Sequence, residues 1–82
     1  MSIEERVKNF ISENILFSDN GYPYDENDSF LEKGVVDSMN VMEIVAFVED
    51  TFGVNISDSD IVPSNFDSIS NITKFIEIKQ KS

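Results

Sequence analysis

Apolar residues recur at helical spacing in three stretches of the chain, and no stretch of useful length alternates as a strand would. In the first, Val7, Phe10, Ile11 and Ile15 follow Ser2-x-x-Glu5, the spacing of a capping box. This predicts a helix over residues 3–15. The second stretch carries Val41, Ile44, Val45, Val48 and Phe52. It predicts a helix over 38–51, with Gly53 as its C-cap. The third carries Ile69, Ile72, Phe75 and Ile76, capped by Asp67 or Ser68, with Lys79 and Lys81 where positive charge suits the helix dipole.

The connections read as follows. Residues 18–33 are polar, with Asn20-Gly21 and Pro23, and predict a long loop that Phe30 and Leu31 pin to the core. Val54 and Ile56 belong to a short extended link. Ser57 or Asp58 opens a short helical turn that ends before Pro63. The expected fold class is all-α: a small helical bundle of three longer helices plus one short helix, with a long loop after the first helix, residues 1–82 forming one domain.

Composition narrows what such a bundle can do. The 82 residues include 16 acids, 6 Lys or Arg, and no Cys, His or Trp, for a net charge of −10. A disulfide framework, a cysteine metal site and a Ser–His or Cys–His dyad are therefore excluded. The acidity opposes nucleic acid and anionic membrane surfaces, and favours a basic protein partner. Acids stand at the start, where a signal peptide is positive, and the longest apolar run is the five residues 44–48. A membrane helix needs about 20. The expectation is a soluble, cytoplasmic monomer without membrane insertion.

The second helix has an unusual surface. At about 100° per residue, Val41, Ile44, Val45, Val48 and Phe52 form the core face. Met39, Met42, Glu43, Ala46, Glu49 and Asp50 lie outside it, interleaving acids with apolar residues. The plain reading is scattered surface residues. The sharper one is a docking face, on which acids steer a basic partner and methionines supply adaptable dry contact. Seven acids and no Lys or Arg occur over residues 34–73, so the negative field centres on this part of the chain. Phe47, at the edge of the wheel, either borders a cleft or packs on the long loop, the commoner arrangement.

Asp-Ser occurs four times, at 28–29, 37–38, 58–59 and 67–68, so the dipeptide by itself carries no signal. Asp37-Ser38 stands apart through its setting. The run Gly34-Val35-Val36-Asp37-Ser38-Met39, then Met42-Glu43-Ile44-Val45, then Glu49-Asp50-Thr51-Phe52-Gly53-Val54-Asn55-Ile56 resembles the acyl carrier protein family. The likeness extends through the first helix and the Phe66-Asp67-Ser68-Ile69 entry to the last. Two residues separate Gly34 from Asp37 where many family members have one, a spacing similar to discrete, stand-alone carriers outside housekeeping fatty-acid synthesis, D-alanine carriers among them.

The resemblance implies that Ser38 receives 4′-phosphopantetheine from coenzyme A through a separate phosphopantetheinyl transferase. It implies that cargo rides as a thioester on the arm, and that Asp37 takes part in transferase recognition. It places Met39, Met42, Glu43, Ala46, Glu49 and Asp50 against acyl-loading and acyl-processing enzymes with basic docking surfaces. Helix geometry adds that a phosphodiester at the first turn would meet unbonded backbone N–H groups and the positive dipole end, with Asp37 opposing it. If Ser38 were an N-cap and nothing more, the chain would be an unmodified acidic helical interaction domain. A D-alanyl or other aminoacyl carrier is the alternative within the family. No residue is read as catalytic, because no His is present to activate Ser38. No metal site is read either. The loop from Asp25 begins like a calcium-binding loop, but Phe30 stands where glycine is required and Val36 where glutamate is.

Overall fold

The computed structural model describes residues 2–81. Its helices are α1 (Ile3–Asn14), α2 (Phe30–Lys33), α3 (Ser38–Phe52), α4 (Pro63–Phe66) and α5 (Ile69–Lys81), with a 3₁₀ turn at Asp58–Asp60. No strand occurs among the described residues. The all-helical class and the three longer helices follow the apolar periods.

The helix ends are set by local chemistry. The Glu5 amide donates to Ser2 Oγ at 3.1 Å and opens α1. Gly53 closes α3 in the left-handed region, φ 66°, where a Cβ is costly. At α5 the Asn71 amide donates to Ser68 Oγ at 3.0 Å, so Ser68 is the cap of the two candidates.

Between them, α1, α3 and α5 bury one apolar core. Val7 and Ile11, Ile44 and Val48, and Ile69, Ile72 and Ile76 are fully enclosed. Each such side chain contributes about 1.5–3 kcal/mol over leaving it in water. Val41 and Phe52 sit half-buried at the margin of the α3 core face. Phe47 stacks on Phe10 of α1, with ring centroids 4.2 Å apart and planes 18° from parallel, and borders a groove there.

Two connections depart from expectation. The end of the long loop winds into α2, which buries Phe30 but leaves Leu31 65% exposed, so one residue of the pair anchors it and not both. The short turn opened by Ser57 ends before Pro63 as expected, but Pro63 then begins a further helix that the sequence reading did not include. This proline occupies the first position of α4, where a missing N–H costs nothing, and residues 58–60 form only the 3₁₀ turn. The bundle thus has two short helices where one was expected. No helix among the described residues is long and apolar enough to cross a membrane.

Candidate functional site

The start of α3 is more fully bonded than its sequence suggests. Asp37, not Ser38, is the N-cap. Its Oδ1 accepts from the amides of Met39 (3.0 Å) and Asn40 (2.9 Å), and Asn40 Oδ1 accepts in return from the Asp37 amide (3.3 Å). Of the four donors a helix start leaves open, the Ser38 amide is the one without a partner among the described residues. The open row of N–H groups expected for a phosphodiester is therefore absent. The Asp37 carboxylate already occupies the position such an anion would take.

This arrangement frees the Ser38 side chain. Ser38 is the first residue of α3, is exposed, and its hydroxyl makes no hydrogen bond among the described residues. The other Asp-Ser pairs behave differently. Ser29 caps α2 by accepting from the Glu32 amide (3.3 Å), Ser68 caps α5, and Ser59 shares a 3.0 Å hydrogen bond with Ser57.

Beside Ser38 lies a cleft of about 250 Å³ between α2, α3 and α4. Leu31, Val41, Met42, Ile61, Val62 and Phe66 make its wall almost wholly apolar, and Ser38 is the one serine lining it. Its one ionisable lining residue, Asp67, is committed elsewhere. Asp67 Oδ2 accepts from Ser29 Oγ at 2.6 Å, its Oδ1 from the Leu31 amide at 3.3 Å, and its backbone oxygen from the Phe30 amide at 2.7 Å. These bonds join positions nearly forty residues apart and hold α2 as one wall of the cleft. Sequence reading missed both α2 and this role of Asp67. The available signal was Ser29-x-x-Glu32, which has capping-box spacing.

The structure brings most of the proposed partner residues onto one open surface. Met39 and Met42 are exposed to 79% and 55%, and Glu43, Ala46 and Asp50 are exposed beside them. Glu49 sits at the margin, half-buried, where its Oε2 accepts from the Ile56 amide at 3.0 Å and ties the extended link to α3. No group of three or more metal-ligating side chains is assembled among the described residues.

Comparison with protein families places these features together. The family model described as a phosphopantetheine attachment site matches residues 14–76, which includes α2, α3, α4 and the cleft they enclose. No curated protein matches the sequence.

Proposed function

The chain belongs to the phosphopantetheine attachment site family, whose domains carry 4′-phosphopantetheine covalently on a serine; from that premise we propose that Ser38 is the serine and that the chain is an acyl carrier. The observation that carries this reading is the position of Ser38: an exposed, unbonded hydroxyl at the mouth of an apolar cleft inside the matched span.

The residues present fit the group. Ser38 Oγ is open for attachment, and the cap made by Asp37 keeps the first turn of α3 rigid beneath it. The arm would supply the thiol that this cysteine-free chain lacks, on which cargo would be carried as a thioester. The wall formed by Leu31, Met42, Val62 and Phe66 offers that cargo an apolar refuge. This favours an acyl group over an aminoacyl one. A free ammonium would need a carboxylate, and that of Asp67 is already taken by α2.

The reading makes the chain a non-catalytic carrier. No base is bonded to the Ser38 hydroxyl among the described residues, and in this reading a separate phosphopantetheinyl transferase activates it, with Asp37 beside it as a recognition residue. Met39, Met42, Glu43, Ala46 and Asp50, with Glu49 at their margin, form the surface on which basic partner enzymes dock. The cytoplasm, where coenzyme A and such enzymes meet, is the proposed compartment.

The test is intact-mass measurement after incubation with coenzyme A and a phosphopantetheinyl transferase. The wild type gains the mass of the arm and Ser38→Ala does not. Equal gain by both proteins, or gain by neither, contradicts the assignment.

A further inference from the structure

Among the described residues, sulfur occurs only beside Ser38. The chain has no cysteine and three methionines. Met1 lies outside the described residues, and Met39 and Met42 both stand near the start of α3. The buried apolar core is made of Val, Ile and Phe and contains no methionine. Neither Met39 nor Met42 therefore fills a gap in it, the usual structural use of the residue. Both are open to water instead, Met39 to 79% and Met42 to 55%.

The two methionines are not equivalent. Met42 follows Ser38 by four residues, about one helical turn, so it shares the Ser38 face and its side chain leans back toward the start of α3. Met39 comes directly after Ser38 and is turned about 100° away from it. The lining of the cleft reflects this difference: Met42 belongs to it, with Leu31, Val41, Ile61 and Val62, and Met39 does not. No other residue lining the cleft carries sulfur, imidazole, indole or phenol. Met42 is thus the one wall residue that a mild oxidant can attack.

We propose that Met42 is a reversible oxidation site, and that its sulfoxide wets the wall of the cleft and lowers its hold on apolar cargo. The inference rests on the proposed use of the cleft as the refuge of the cargo. The oxidant is hydrogen peroxide. One peroxide oxygen passes to Met42 Sδ as the O–O bond breaks; the sulfur gives up two electrons, and the other oxygen leaves as water. An adaptable apolar thioether becomes a polar, chiral S=O group. Held against the apolar wall, this new acceptor gives up water without gaining a partner. Turned out to solvent, it leaves the wall short of one side chain. Either way the cleft encloses cargo less well. A methionine sulfoxide reductase reverses the step, the oxygen leaving as water while a dithiol becomes a disulfide. Met39 undergoes the same chemistry without lining the cleft, and so separates oxidation as such from oxidation of the wall.

The probe is octanol, an uncharged apolar chain. Its binding to the full 82-residue chain is followed by methyl chemical shifts at Val41, Ile61 and Val62, before and after peroxide treatment. Tandem mass spectrometry locates the added oxygen. Oxidised wild type binds octanol about three- to thirtyfold more weakly than untreated wild type, and the reductase restores the affinity. Met39→Leu loses affinity on oxidation as the wild type does. Met42→Leu binds equally before and after treatment. Met42→Gln, untreated, binds as weakly as the oxidised wild type. In every form the methyl shifts of Val7, Ile11 and Ile76 stay in place, because the core holds no methionine. An unchanged affinity in oxidised wild type overturns the proposal, as does an equal loss in Met42→Leu. Met42 left unoxidised under conditions that fully oxidise Met39 overturns it as well. Loss of the core shifts on oxidation makes Met42 a structural element, and absence of octanol binding by the untreated chain removes the receptor; each overturns it too. None of these outcomes bears on Ser38, whose modification is read separately by mass on the unoxidised chain.

Discussion

The two sides of α3 are stabilised by different means. Toward α1 and α5 it meets long amphipathic helices, and Val7, Ile11, Ile44, Val48, Ile72 and Ile76 close a dry core. Toward Ser38 it meets α2 and α4, each of four residues, too short to persist without tertiary support. That wall is held by hydrogen bonds from Asp67 and by the buried anchors Phe30 and Phe66. Burial therefore fixes the bundle, while a few polar ties shape the site. The site can loosen without the bundle coming apart.

The strongest way to break this comparison is to cut into the core. Ile72→Ala should cost about 2–5 kcal/mol, a large share of the stability of a domain this small. In denaturant titration it lowers the midpoint, and amides on both sides of α3 lose protection together.

Removing the tie should separate the two sides. Asp67→Ala leaves Ser29 Oγ and the Leu31 amide without their acceptor and should cost about 1–3 kcal/mol. Hydrogen exchange then rises over residues 30–34 while Ile11, Ile44 and Ile76 keep their protection. Equal loss in both regions would show that α2 belongs to the same cooperative unit as the core.

A weaker handle is the surface pair Lys79–Asp60, at 3.0 Å. The lysine's hydrogen bond, then those from Ser57, hold the Asp60 carboxyl below its usual range. Because the folded-state value is depressed, this contribution is present above the ordinary carboxylate range and is lost as pH falls through the folded value. Lys79→Gln should lower the melting temperature slightly near neutrality, and the gap to wild type should close in acid. An exposed pair contributes little, so a large gap would contradict the view that burial dominates this side.

The smallest expected effect concerns Tyr22. Burial, then the charge of Asp28, pushes its phenol up to about 12, and its buried hydroxyl has no hydrogen-bond partner among the described residues. An unfolded tyrosine ionises near 10, so the folded state loses stability as pH rises from there toward 12. Tyr22→Phe should be near neutral or slightly stabilising at pH 7. It should also abolish the late step in an ultraviolet phenol titration.

What the sequence made legible follows the same division. The long helices could be read because their apolar period repeats, and their ends because Ser2, Gly53 and Ser68 act on neighbouring backbone groups. Ser38 was singled out as the candidate through its setting between Gly34 and the Glu49-Asp50-Thr51-Phe52-Gly53 run. The wall of the cleft was not, because α2, at four residues, is too short for an apolar period to repeat and Asp67 acts on residues far away in the chain. Pro63 marked the end of the short turn correctly, but α4 behind it went unread, because a proline that forbids a helix before it also suits the start of the next. Glu49 joined the partner face on a helical wheel, which carries no information about the Ile56 amide that folds back to meet it.

The central claim is that Ser38 carries the arm, and fragment mass mapping of the protein after modification tests it most directly. Ser64 and Ser70 lie in the same matched span and are further serines whose hydroxyls make no hydrogen bond among the described residues, but neither lines the cleft. The account predicts the added mass of 4′-phosphopantetheine on the fragment containing Ser38 and on no other. The same mass on a fragment containing Ser64 or Ser70, with Ser38 unmodified, would contradict it.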